Sequence, residues 1–251
     1  METQGKAVLI TGGTSGIGLA TARLYIEKGA KVIITGRYRE TIDETVEQLG
    51  PGAHGLVSDA GKMGDIRNLK QQVKEITPHV DVLFANAGYG QFAPVEAVTE
   101  EHVNELFDVL VKGTFFTVQQ ILPIMKEGSS IILNTSVVTE SGLPNMAIYS
   151  AAKSAVQSFI KTMAAECTAR NIRVNGVSPG YIETNIWDKT GLSPEQIDEA
   201  IETTIPTIPF KRFGDPEEVA EAVYFLSSEA ASYIHGTEIM VDGGFSNIVA
   251  G

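Results

Sequence analysis

The sequence predicts an α/β fold, a single doubly wound domain of about seven parallel strands with helices on both faces. Three observations predict it. Short β-branched apolar runs recur at 7–11, 31–35, 55–58, 81–85, 130–135, 172–178 and 238–241. Longer stretches with helical spacing lie between them, at 17–28, 66–76, 102–125, 149–170 and 216–227. A glycine-rich turn joins the first run to the first helical stretch.

The apolar runs read as buried strands, because a parallel sheet covered on both faces has no solvent side to alternate toward. Each helical stretch then serves as a crossover, expected to be right-handed. Two helix starts carry their own signals. Thr99 stands three residues before His102 and follows the apolar Val98. Asp215 directly precedes Pro216, pairing a side chain able to cap free amides with a residue suited to the first helical position. The longest non-strand excursions are 91–99 and 185–213, the second carrying Pro194, Pro206 and Pro209. A substrate lid is expected within 185–213, in a domain spanning 1–251.

Composition narrows the partners. The chain has 251 residues, with 31 Asp and Glu against 19 Lys and Arg, a formal charge of −12. Such a surface repels polyanions, so nucleic acid and anionic membranes are not expected to bind. Cys167 is the single cysteine, which leaves neither a disulfide nor a cysteine-based metal site and makes it a small core residue. His54, His79, His102 and His235 lack ligand spacing, and no metal is expected. No apolar run approaches the ~20 residues of a membrane span, and no signal-like start is seen, so a cytoplasmic setting is expected.

The turn Thr11-Gly12-Gly13-Thr14-Ser15-Gly16-Ile17-Gly18 follows the first strand and opens the first helix. Glycine lets the backbone approach a pyrophosphate whose charge meets amides at a helix N-terminus, the arrangement of Rossmann-like dinucleotide sites. Where the second strand ends, NAD enzymes place an acidic residue for the ribose 2′-hydroxyl. Gly36 fills that place and Arg37 follows, a cation able to pair with the 2′-phosphate of NADP(H). NADP(H) is the preferred cofactor on this reading, with NAD(H) the alternative. Tyr149 and Lys153 are four residues apart, one turn along one helix face, where an ammonium can favour ionisation of the phenol.

The chain resembles the short-chain dehydrogenase/reductase family over nearly its whole length. The family fingerprint TGxxxGxG is met at Thr11, Gly12, Gly16 and Gly18, and Asn86-Ala87-Gly88 matches the tail of its NNAG motif, with Ala85 in place of the first asparagine. Pro179-Gly180-Tyr181-Ile182-Glu183-Thr184 and the stretch 216–244 resemble two further family segments. The resemblance implies an oxidoreductase that interconverts a ketone and a secondary alcohol, as carbonyl reductases and 3-oxoacyl-thioester reductases do. It implies that Ser136, thirteen residues before Tyr149, binds the substrate oxygen, that Tyr149 gives or takes its proton, and that Lys153 holds the nicotinamide ribose and lowers the phenol pKa. It further implies cofactor contacts at Gly12, Thr14, Ser15, Gly16, Ile17, Gly18, Arg37, Asp59 (adenine), Ala60, Asn86, Ala87, Gly88, Pro179, Gly180, Ile182 and Thr184 (carboxamide), and a homotetramer.

One position departs from the pattern. Where the family commonly carries a fourth catalytic residue, an asparagine serving a water relay to the lysine, this chain has Leu110. A pocket of Tyr89, Phe92, Leu143, Tyr181, Ile186 and Trp187 beside the nicotinamide would favour apolar ketones. A 3-oxoacyl-thioester reductase or a sugar dehydrogenase is the alternative of the same class. A catalytically weak NADP(H)-binding regulatory or scaffold protein is the alternative of another, favoured by Leu110 and opposed by the intact Ser136, Tyr149 and Lys153.

Overall fold

A computed structural model describes residues 3–184 and 193–248. Seven strands form one parallel sheet: β1 (Ala7–Ile10), β2 (Lys31–Gly36), β3 (Ala53–Val57), β4 (Val80–Ala85), β5 (Met125–Asn134), β6 (Arg173–Pro179) and β7 (Glu238–Val241). Their order is β3-β2-β1-β4-β5-β6-β7, so the chain runs outward to one edge, returns to the middle and builds the other half. Between β1 and β4 the direction of winding reverses, and the loops that follow these strands part to leave a crevice.

The central strands are apolar throughout because both faces are covered. Val8, Leu9 and Ile10 of β1 and Leu83 and Phe84 of β4 have no exposed surface. One layer packs β5 and β6 against α6 (Ala147–Cys167) through Val156, Ile160 and Cys167. The opposite layer packs Val8, Ile10 and Val177 against α1 (Gly16–Glu27) and α8 (Pro216–Ser227) through Ala22, Tyr25, Val223 and Leu226. Cys167 sits buried in the first layer, as its isolation in the sequence suggests.

Both helix-start signals act as read. Thr99 Oγ1 accepts the amide of His102 at 3.1 Å at the start of α4 (Glu100–Leu106). Asp215 and Glu218 form a reciprocal capping box around Pro216, and Glu218 also takes both guanidinium nitrogens of Arg212 at 2.7 Å, which holds its carboxyl well below the usual range, at about 2. The stretch 102–125, read as one helix, is broken into parts. A π-helical stretch, Phe107–Gly113, follows α4, then α5 (Thr114–Ile121), and a short turn containing Pro123 hands over to β5, whose first residue is Met125. Apolar residues at helical spacing therefore continued past the true end because Met125 is buried in the strand register beside Val80. Two further helices, α2 (Arg39–Leu49) and α3 (Met63–Ile76), complete the β2–β4 crossovers. Of the expected lid region, 185–192 lies outside the described residues, and α7 (Pro194–Thr204) occupies much of the rest.

Candidate active site

The strands deliver their functional residues where they end. A cavity of about 470 Å³ at the carboxyl edge of the sheet is lined by Gly12 after β1, Gly36 and Arg37 at β2, Ser58 and Asp59 after β3, Asn86 after β4, Asn134 at β5 and Pro179 at β6. Ser136, Tyr149, Lys153 and Thr184 open onto the same space.

At one end the glycine turn fits a dinucleotide. Gly12 (φ 64°) and Gly16 (φ 50°) hold left-handed backbone that a side chain rarely adopts. Gly18 has a different reason: a Cβ there would lie 2.2 Å from the Gly12 carbonyl oxygen and 2.7 Å from Asn86 Nδ2, so only glycine lets α1 sit this close to the turn. Ser15, at the N-cap of α1, makes no side-chain bond to the first-turn amides, and no acidic residue occupies that turn, which leaves the helix end available to an anion. Asn86 braces the turn from β4, donating from Nδ2 to the Thr11 and Gly12 carbonyls at 3.0 and 3.2 Å, while Thr11 Oγ1 accepts the amides of Asn86 and Ala87. Arg37 lies exposed at the cavity rim, its guanidinium 5.3 Å from the Tyr38 ring centre.

At the other end Ser136, Tyr149 and Lys153 line the cavity. Ser136 is buried at the N-cap of the turn after β5, with its oxygen hydrogen-bonded to the Tyr149 phenol. Lys153 is only 5% exposed and donates to the Asn134 carbonyl at 2.8 Å. Its ammonium lies 5.9 Å from the Tyr149 ring centre, and the Phe92 ring stands edge-on to Tyr149 at 5.7 Å. Burial pushes the phenol up to about 12, with the Ser136 hydrogen bond pulling weakly the other way, and lowers Lys153 to about 8. For both groups burial disfavours the charged form, the phenolate of Tyr149 and the ammonium of Lys153 alike. Tyr149 is held as the neutral phenol, the form that donates a proton.

Every residue expected from the sequence to contact cofactor lines this cavity except Gly18, which packs directly behind it. Thr184 rests against Gly16, within 3.1 Å of where a Cβ would stand. Tyr89, Phe92, Leu143 and Tyr181 line the space beside Tyr149, whereas Ile186 and Trp187 lie outside the described residues. Sequence reasoning missed Val138, Met146 and Phe213, which complete this apolar wall, and Asn134. Their signal is weak because each belongs to a loop or strand end with no spacing rule, although Asn134 and Val138 flank Ser136 by two residues on either side. Asp242 is a turn-former, its carboxylate accepting the amides of Gly244 and Ser246.

Leu110 is 1% exposed in the middle of the π-helical stretch and packs with Leu106, Ala152 and Tyr149. A Cβ at Gly88 would lie 2.7 Å from its Cδ2. The leucine thus fills the space behind the helix that carries Lys153. Leu110→Asn is expected to raise single-turnover reduction more than it changes KM, with the gain growing toward alkaline pH, where protons are scarcer. The buried amide should cost about 1–3 kcal/mol of stability. A folded variant with an unchanged or lower rate would show that proton delivery here does not need residue 110.

A glycine turn open to an anion, a parallel sheet reversed at its middle and a Ser-Tyr-Lys group lining one cavity define an oxidoreductase that works with a nicotinamide cofactor. Residues 12–246 match the family described as enoyl-(acyl carrier protein) reductase. Over 250 residues the chain is 38% identical to the 3-oxoacyl-[acyl-carrier-protein] reductase of Thermotoga maritima, covering 97% of this chain and 99% of the relative. It is 39% identical over 254 residues to a 3α-hydroxysteroid dehydrogenase of Mediterraneibacter gnavus, covering 97% and 98%. Among solved structures, a 3-ketoacyl-(acyl-carrier-protein) reductase from Brucella melitensis complexed with NADH superposes with a TM-score of 0.88 at 29% identity over 97% of this chain and 99% of that one. A blue fluorescent protein from a metagenomic library, in complex with NADPH, gives 0.89 at 26% identity over 98% and 100%. The chain belongs to the short-chain dehydrogenase/reductase family.

Proposed function

We propose that this protein is an NADPH-preferring reductase of apolar ketones, with Ser136, Tyr149 and Lys153 as its catalytic residues. The observation that carries the reading is their convergence with the glycine turn and Arg37 in one cavity. When bound, the cofactor supplies hydride to the carbonyl carbon. The chain supplies the rest. Ser136 Oγ fixes the carbonyl oxygen beside the Tyr149 phenol, which releases its proton to that oxygen as negative charge develops. Lys153 binds the cofactor ribose and stabilises the phenolate left behind, its Nζ fixed by the Asn134 carbonyl. Asp59, Ala60 and Gly88 contribute cofactor contacts along the cavity, with Pro179, Gly180, Ile182 and Thr184 at the nicotinamide end.

Two features support the finer assignments. Gly36 leaves no carboxylate at the end of β2, and Arg37 is a free-standing cation there, with no carboxylate partner among the described residues. The wall beside Tyr149 is built from Tyr89, Phe92, Val138, Leu143, Met146 and Phe213, which suits an apolar body better than a sugar. A 3-oxoacyl thioester is the second candidate substrate, on the name of the T. maritima relative. We place the enzyme in the cytoplasm, where NADPH is supplied, and as a homotetramer; sedimentation as a monomer at micromolar concentration would remove the latter.

A single phosphate contact of ~1.5–3 kcal/mol gives roughly ten- to hundredfold preference for NADPH in kcat/KM. Gly36→Asp with Arg37→Val should move the preference toward NADH, by repelling the 2′-phosphate and offering the 2′-hydroxyl an acceptor. A Cβ at residue 36 meets Thr14 at 3.0 Å and Ile42 at 3.1 Å, both side-chain carbons able to shift by the few tenths required. Retained preference for NADPH in the double variant would place phosphate reading elsewhere, with Ser15 the next residue to test. Steady-state kinetics of a ketone panel with both cofactors measures this and the substrate class together.

A further inference from the structure

Gln157 lies on α6 one turn beyond Lys153 and two beyond Tyr149, and so extends the catalytic stripe of that helix. Its amide makes two bonds that the reaction chemistry does not use. Nε2 donates to Glu140 Oε1 at 2.8 Å, and also to Glu238 Oε1 on β7. Each carboxylate holds a neighbour of Ser136. Glu238 Oε2 lies 2.7 Å from Thr135 Oγ1, immediately before the serine, and that hydroxyl's one hydrogen is shared with the Val177 carbonyl at 2.8 Å. Glu140 Oε1 accepts from Thr139 Oγ1 at 3.2 Å, and the same hydroxyl reaches the Ser136 carbonyl at 3.0 Å.

The chain of contacts therefore starts at residue 135, passes through Glu238, Gln157 and Glu140, and returns at residue 139, closing around Ser136 from both sides. Two glutamates brought to one spot repel each other, and each alone would pull its segment toward solvent. A primary amide has two N–H groups and no charge, so one Gln side chain satisfies both carboxylates while tying them to the helix that carries Tyr149 and Lys153. A small apolar residue would leave the pair unbridged, and an acidic one would add to the repulsion.

We propose that Gln157, acting with Glu238, is a positioning residue that holds Ser136 in register with Tyr149. It touches neither cofactor nor substrate; its effect reaches the reaction through the serine. The proposal rests on the assignment of Ser136 as the group that binds the substrate oxygen, and its test separates the two. Gln157→Ala is compared with the parent protein by amide hydrogen exchange and by NADPH-dependent ketone reduction, each also in a Ser136→Ala background.

Exchange at the amides of 137–140 should quicken in Gln157→Ala, while the segment 12–18 at the phosphate turn stays as protected as before. Turnover should fall roughly tenfold with KM for NADPH unchanged, since a small displacement of one catalytic group costs rate rather than cofactor affinity. In the Ser136→Ala background the same substitution should cost less than about twofold, because the group it positions is gone. Gln157→Arg, which can donate to both carboxylates, should restore most of the rate. Unchanged exchange at 137–140 overturns the proposal whether or not any ketone is reduced. An equal loss in both backgrounds also overturns it, by showing a general structural role. Failure of the parent protein to reduce any ketone would instead remove the proposed function and leave exchange to decide the contact.

Discussion

Tyr149→Phe should lower ketone reduction by about 10²–10⁴-fold while NADPH affinity stays within a few-fold of the parent value. The substitution removes one oxygen. That oxygen is hydrogen-bonded to Ser136 and held protonated by burial, at about 12, so the parent protein keeps its donor charged with a proton across the working range. The ring itself continues to pack edge-on against Phe92, and the glycine turn is untouched at the far end of the cavity. Fluorescence titration of NADPH and single-turnover oxidation at saturating ketone separate the two quantities. Equal single-turnover rates in parent and variant would remove Tyr149 as the donor.

Lys153→Met should act on rate, cofactor affinity and stability together. Loss of the ribose contact weakens NADPH binding, and loss of the ammonium leaves the developing phenolate without a counter-charge, so kcat/KM should fall by about 10²-fold or more. The stability effect has a defined pH window. Burial lowers Lys153 to about 8 from its ordinary 10.5. Below pH 8 the amine is charged in both folded and unfolded chains, and the folded state bears the full cost of burying it. Between the two values the folded protein releases the proton while the unfolded chain keeps it, so stability rises with pH, by up to roughly 3 kcal/mol over the window. Tyr149 works the other way: between its ordinary 10 and about 12 the unfolded phenol ionises and the folded one does not, so stability falls. Denaturant unfolding of the parent protein at pH 7.5 and pH 10 should show the rise, and Lys153→Met should flatten it. A rise of the same size in the variant would assign it to other groups.

The parallel sheet was legible because burial on both faces leaves each strand as an uninterrupted apolar run, and the β1 turn was legible because only glycine serves at Gly12, Gly16 and Gly18. Tyr149 and Lys153 could be paired from spacing alone, since a helix brings residues four apart together. Joining Ser136 to them needed the family resemblance, because the serine sits on a separate element. The π-helical stretch escaped notice: its residues keep the apolar spacing of an ordinary helix, and the change lies in backbone bonding. Gln157 and Glu238 escaped for another reason. They are 81 residues apart and meet only because β7 closes the sheet beside β6 near α6. The phenol and amine shifts depend on how completely the site is closed, which no local pattern records.

Transfer of deuterium from NADPH carrying deuterium at both C4 positions of the nicotinamide ring tests the central claim most directly. With an apolar ketone and stoichiometric labelled cofactor, the protein is expected to place one deuterium on the carbinol carbon of the alcohol for each NADP⁺ formed, and to do so only while Tyr149 carries its hydroxyl. Binding of NADPH with no deuterium delivered to any ketone of an apolar panel would contradict the account and leave a nucleotide-binding protein in its place.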